Sequence, residues 1–260
     1  MKVVMGGSRG SLPVSGADQV RHGGDTFALL AEGRDGTQVL VDAGSGIRNL
    51  LPLLRPESTL FFTHTHLDHL AGLPLLTEAW PAAMVFPRGD LAAVLKRVFS
   101  PPVWPVELPP TAFPDARPPM EAGGLRLAWM PVSHPDGGWS VRIDEPSTGT
   151  SVTVATDTEW GAMSGADRDA FARHAFQTDL LVFDAHYRPE EYEARRGWGH
   201  STWKQAVEAA QQCGARKLWL MHHDPARTDD EIDALAAEAA QAFPGAEAPL
   251  AGRREMTLHE

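Results

Sequence analysis

At 260 residues, 43% hydrophobic and 22% charged, the chain has the composition of an ordinary folded protein, and length alone allows one large domain or two small ones. A net charge of −11, with no Lys/Arg run longer than two, argues against a long nucleic acid as partner and for a small substrate, because the usual basic footprint is missing. No run of about 18 apolar residues offers a membrane span, and Met1 to Arg9 turns to glycine and arginine before an apolar signal core of about 7 to 15 residues forms, so the expectation is a cytoplasmic protein. The single cysteine, Cys213, excludes an intramolecular disulfide and a thiolate-rich zinc site.

In chain order, residues 1–5 read as a strand, and Gly6-Gly7-Ser8-Arg9-Gly10-Ser11 as a loop whose backbone can approach another group closely. Runs 25–30 and 37–42 read as a hairpin across Gly33-Arg34-Asp35-Gly36. Asp42-Ala43-Gly44-Ser45-Gly46 breaks that pattern before a short helix over 47–54, closed by Pro56. Strand 59–63 then delivers His64-Thr65-His66-Leu67-Asp68-His69, four metal-binding side chains in six positions. In extended backbone, His64 and His66 leave on one face, while Asp68 and His69 fall where 67–76 begins a helical turn. One divalent ion with an open position takes about three protein ligands, so four in one loop, fanned two each way, suggest paired ions.

Further on, 82–86 reads as a strand and Asp90 as the cap of a helix over 91–99. Residues 100–120 hold eight prolines and little periodicity, which predicts a surface excursion, or a lid that carries Trp104 and Phe113 over a cleft. Strand 125–132 leads to His134. Runs 139–143 and 151–155 form a second hairpin whose end leads to Asp157. Helix 167–175 precedes a buried strand over 180–183 that ends at Asp184. Helix 202–213 is closed by Gly214 and places Cys213 in the core. Strand 217–221 runs into His222, and helix 229–243 is last. Two sheets packed face to face with helices outside would account for this order. The strands share an ending: His64 and His66, His134, Asp157, Asp184 and His222 all follow strand C-termini, where a sheet holds ligands rigidly and loops control access.

His64-Thr65-His66-Leu67-Asp68-His69 resembles the His-x-His-x-Asp-His signature of the metallo-β-lactamase-fold hydrolases. The likeness is to the phosphodiesterase branch, which includes the tRNA 3′-end-processing endonuclease and phosphoribosyl cyclic phosphodiesterase-like proteins. It spans almost the whole chain, through Gly7 to Val14, Gly23 to Thr26, Asp42 to Gly44, Thr156 to Thr158, Gly199 to Thr202 and His222 to Pro225. The resemblance implies an α/β fold, an αββα sandwich, over a single domain of residues 1–260. It implies one ion on His64, His66 and His134, a second on Asp68, His69 and His222, and Asp157 bridging both, with a hydroxide between the ions as nucleophile. Zinc is the first choice of metal, with manganese or iron as the others, since imidazole and carboxylate suit all three.

Asp68, His200 and Asp184 are the residues to which the resemblance gives catalytic roles. A histidine held by a carboxylate beside the scissile phosphate stabilises the charge of the transition state and protonates the leaving alkoxide. The competing reading makes His200 a cap for the helix after it. Asp25 stands where similar sequences have Asn, and His186 is a surplus histidine beside Asp184. The basic arm of the tRNA endonuclease has no counterpart, since Arg117 is the single cation in 100–120. The expectation is a di-metal hydrolase of a small phosphodiester, a cyclic nucleotide or cyclic ribose phosphate, with a homodimer open. The rivals are a carboxyl-ester hydrolase, such as a lactonase or thioesterase, an RNase Z-like endoribonuclease and a non-catalytic metal-binding or RNA-binding module. His223 reads as a supporting or surface residue, and His22, His174 and His259 carry no signal.

Overall fold

A computed structural model describes residues 1–76, 79–250 and 254–259. The first sheet contains β1 (Lys2–Gly7), β2 (Ala28–Glu32), β3 (Gln38–Val41), β4 (Thr59–Phe61) and β5 (Ala83–Val85). The second contains β6 (Met120–Ala122), β7 (Leu125–Val132), β8 (Gly138–Glu145), β9 (Thr150–Ala155), β10 (Leu180–Asp184), β11 (Lys217–Met221) and β12 (Ala246–Glu247), and β13 (Arg254–Thr257) returns to the first. The orders are β13-β1-β2-β3-β4-β5 and β12-β11-β10-β9-β8-β7-β6. In each sheet antiparallel pairs give way to parallel ones, at β3/β4 in the first and at β9/β10 in the second.

Strand periodicity sorts the side chains into layers. Val3, Met5, Leu29, Val39, Val41 and Phe61 meet Leu127, Trp129, Val141, Ile143, Val154 and Val182 in one core between the sheets. The alternate residues Val4, Leu30, Leu40 and Leu60 pack outward on α1 (Ile47–Leu50) and α2 (Leu91–Val98). On the other side Leu181, Phe183, Leu218 and Leu220 pack on α3 (Gly165–His174), α5 (Trp203–Cys213) and α6 (Asp229–Ala242), while the short α4 (Pro189–Tyr192) lies between α3 and α5 in the chain. The result is the expected αββα order. β9 and β10 are buried on both faces: β10 reads as a continuous apolar run from Leu180 to Phe183, whereas β9 alternates, with Val152 and Val154 in the core between the sheets and the hydroxyls of Ser151 and Thr153 meeting Thr178.

Several expectations need correction. β1 continues through Gly7, because Gly7 pairs with Ala28 across a bulge. Residues 67–76 do begin with a helical turn, the 3₁₀ turn Leu67–His69, and a second follows at Leu73–Leu75. Asp90 occupies the N-cap of α2 but makes no capping bond; its carboxylate accepts from Arg88. In 100–120, Ala112 bridges Ala83 at the sheet edge and Trp104 packs edge-on against Phe99 of the outer layer, so that aromatic anchors the excursion to α2. β6, β12, β13 and α4, each of four residues or fewer, were not expected from the sequence. Cys213 is buried in the core, as expected.

Candidate metal centre

The site lies where β3, β4, β7, β9, β10 and β11 end. Asp42, Asp157 and His222 adopt left-handed backbone, with φ of 58°, 49° and 61°, conformations that β-strand continuation does not allow. Each turns a side chain back across the end of its sheet instead of along it.

Three groups of ligand atoms result: His186, His200 and His222 form one, which shares His222 with a second. Those of His64, His66 and His134 lie within 4.8 Å of one another, and so do those of Asp68, His69, Asp157 and His222. Asp157 stands between the last two: Oδ1 is 3.7 Å from Nε2 of His64, 3.9 Å from Nε2 of His134 and 3.1 Å from Nε2 of His222, while Oδ2 is 3.2 Å from Nε2 of His69. The residues fit a bound cation by a separate observation. Nε2 of His64, Nε2 of His69 and Nδ1 of His134 are buried without a hydrogen bond, a costly state for polar atoms unless something else engages them.

In the group that holds His186, Nδ1 of His200 lies 2.8 Å from Oδ2 of Asp184, the pair expected from the sequence. Asp184 is fully buried, and its other oxygen accepts from the backbone N–H of Ser201 at 2.9 Å and of His186 at 3.1 Å. His200 does not cap α5. Thr202 does, with Gln205 completing a capping box.

A family model described as a beta-lactamase superfamily domain matches residues 37–223. The chain belongs to the beta-lactamase superfamily. Ribonuclease Z of Lachnospira eligens is 25% identical to it over 97% of this chain and 96% of that protein. The metallo-beta-lactamase fold protein YhfI from Bacillus subtilis superposes with a TM-score of 0.72 at 19% identity, covering 98% of this chain and 99% of that one. A diphosphatase from the PhnP family gives a TM-score of 0.69 at 18% identity, covering 100% and 99%. The chain is thus a hydrolase of the metallo-β-lactamase fold, a fold that implies divalent-metal binding.

Within this superfamily site, carboxylates orient the histidines. Asp42, fully buried, sits 2.8 Å from Nδ1 of His69 and also accepts from the N–H and hydroxyl of Thr63, which leaves Nε2 of His69 facing Asp68 and Asp157. Asp136 does the same for Nε2 of His66 at 2.8 Å. The glycine loop after β1 reaches the site as well. The N–H of Ser11 donates to Oδ2 of Asp68 at 2.8 Å, and Gly10 lies so close to the His222 ring that a Cβ there would overlap it. From sequence Asp42 read as a strand break and, through the resemblance, as part of a motif; Asp136 carried no signal, since its partner is distant in the chain.

Electrostatics follow from burial. Desolvation holds His64 well below the usual histidine value, with His69 adding to it, and brings His134 down to about 4. Burial acts the same way on His222, but Asp157, Asp68 and Asp184 overcome it and push the ring up to about 10; His69 is raised likewise by Asp68, Asp157 and Asp42. Burial opposes ionisation of Asp68 and Asp157, yet the neighbouring imidazolium groups keep both carboxyls below the ordinary range. In the metal-free protein, His69 and His222 therefore carry the positive charge that Asp68 and Asp157 require.

The remaining positions divide. Asp25 accepts from Ser45 and Asn49 and pairs with Arg48 at 3.2 Å, so its extra charge braces a loop and joins none of the ligand groups. His186 stacks on His200, with ring centroids 4.5 Å apart, and its Nδ1 lies 2.7 Å from the carbonyl of His222. His223 is not a surface residue: it is fully buried with neither ring nitrogen hydrogen-bonded. His22 is also buried, against the Pro249 carbonyl and Asp233.

Proposed function

We propose that residues 1–260 form one domain that hydrolyses a small phosphodiester, a cyclic nucleotide or a cyclic ribose phosphate, with two divalent ions, zinc before manganese or iron. The observation that carries this reading is the His200–Asp184 pair at 2.8 Å beside the two ligand groups that flank Asp157. His64, His66 and His134 would hold one ion, and Asp68, His69 and His222 the other, with Asp157 shared. Bound there, the ions would polarise the phosphoryl oxygen and lower the pKa of water so that a nucleophile exists at neutral pH.

The chain's own residues supply the rest. Asp184 engages Nδ1 of His200, which leaves Nε2 as the atom to meet the leaving oxygen. Held there, a protonated ring would neutralise charge as the phosphorus–oxygen bond breaks and transfer its proton to the leaving oxygen. Carboxyl esters with good leaving groups do not need that proton. The deciding experiment is metal analysis of protein purified without chelators, followed by turnover of bis(p-nitrophenyl) phosphate against nitrophenyl acetate and a lactone panel. Preference for the phosphodiester supports the reading; preference for the esters replaces it with a lactonase or thioesterase, and metal without turnover makes the chain a binding module.

A second reading, an RNase Z-like endoribonuclease, is favoured by the full-length likeness to a protein named Ribonuclease Z. Against it stand the charge of −11 and the single cation, Arg117, in 100–120. Efficient cleavage of a tRNA precursor at physiological salt, with weak turnover of every small diester, would overturn the small-substrate reading.

A further inference from the structure

Of eight tryptophans, seven are buried or half-buried and one, Trp198, is 62% exposed. Its segment, Gly197-Trp198-Gly199-His200, is held with unusual firmness for a surface loop. The buried carboxylate of Glu159 accepts from the N–H of Gly197 at 2.7 Å through one oxygen and from the N–H of Gly199 at 2.9 Å through the other, so it grips the backbone on both sides of Trp198. The hydroxyl of Tyr192 donates to the same carboxylate, and the N–H of Trp198 bonds the Arg195 carbonyl at 3.1 Å. Both glycines have positive φ, 87° and 91°, and Gly199 lies against the His134 ring so closely that a Cβ would overlap it.

Trp198 is therefore one residue from a backbone in contact with His134 and two from His200, on a fixed stage, and it makes no ring or cation contact among the described residues. What singles Trp198 out is not exposure alone but exposure on a backbone clamped at both neighbouring glycines. Two further exposed apolar side chains lie on segments that hold Asp68: Leu67, beside it in the chain, and Leu12, next to the Ser11 N–H that bonds its carboxylate. Flat aromatic faces at the rim of a phosphate site are what a base stacks on.

We infer that Trp198 is a stacking platform for a planar base on the substrate, which selects a base-bearing diester over a base-free cyclic ribose phosphate. The inference rests on the phosphodiesterase reading for its reaction but not for its binding test. Titration calorimetry of the zinc-loaded protein with adenosine 5′-monophosphate and with ribose 5-phosphate separates the two. Wild type binds the nucleotide more tightly. Trp198→Ala raises the nucleotide Kd about 5- to 140-fold, the span of one base–aromatic stack, and leaves the ribose phosphate Kd unchanged, while Trp198→Phe retains most of the preference. Equal weakening of both ligands would mean a damaged loop, and no change, or no nucleotide preference in wild type, would mean an idle ring; each overturns the inference. Trp198-dependent nucleotide binding without hydrolysis of any diester would instead remove the phosphodiesterase reading and leave the platform standing.

Discussion

His200 sits 11% exposed beside a fully buried Asp184, and the capping of α5 falls to Thr202 and not to His200. His200→Ala is expected to leave folding and metal content unchanged while lowering kcat by about 10² to 10⁴. The loss should be larger for diesters with poor alkoxide leaving groups than for nitrophenyl diesters, whose leaving group needs no proton. Asp184→Asn should weaken the same step, and the double mutant should lose less than the sum of the two barriers, because the residues act as one unit. Additive losses would reduce His200 to a passive contact. Asp157 makes a different demand: its carboxylate lies within 4 Å of four imidazoles from the two groups it stands between, and a shared carboxylate offsets the repulsion between dications about 3.5 to 4 Å apart. Asp157→Ala should lose paired metal and nearly all turnover; two equivalents of metal retained in elemental analysis would refute the bridge.

At the scale of the element, the site depends on what strand ends and loops are forced to do. Left-handed backbone at Asp42, Asp157 and His222 costs on the order of 1 to 3 kcal/mol at each position and persists because packed strands on either side over-determine it. The loop before His200 shows the same dependence on backbone shape. Gly199 combines a φ of 91° with contact on the His134 ring, so Gly199→Ala should displace His134 and destabilise the protein by about 1 to 3 kcal/mol. Thermal unfolding together with metal stoichiometry checks this; an unchanged midpoint with full metal content would show that the loop adapts.

For the whole molecule, the metal centre couples to pH. A ligating imidazole must be neutral, whereas His222 in the metal-free protein is pushed up to about 10 and His69 is also raised, so at neutral pH both carry protons that an arriving dication has to displace. Metal uptake near pH 7.5 should release roughly two protons, and affinity should rise with pH until His222 deprotonates near 10. Calorimetry in buffers of different ionisation enthalpy reads the released protons directly, and heats that do not depend on the buffer would contradict the charged pair. The linkage to stability has the opposite sign. A raised imidazole stabilises the metal-free fold fully below its unfolded value of about 6.5, and that contribution is lost as pH rises through about 10.

Long-range periodicity and local clustering were legible in the sequence. The runs that became β10 and β11 could be placed because an apolar strand is written in consecutive residues, β7 because its apolar residues alternate, and His64 to His69 announced metal chemistry because six adjacent positions need no fold to bring them together. Resemblance added the order of the distant motifs and the assignment of His134, Asp157 and His222. The short edge strands β6, β12 and β13 were not legible, since their pairing partner, not their own composition, makes them strands. Nor were Asp42, Asp136 and Glu159, or the burial of His223. Each is defined by a contact between residues far apart in sequence, Asp42 with His69, Asp136 with His66 and Glu159 with Gly199, and a hydrogen bond of that kind leaves no periodic trace in the chain. The sequence by itself determined which histidines and aspartates stand at the ends of strands. Tertiary structure alone decided which of their nitrogen and oxygen atoms face one another, because that rests on backbone reversals at strand ends and on carboxylates that fold in from other strands and loops.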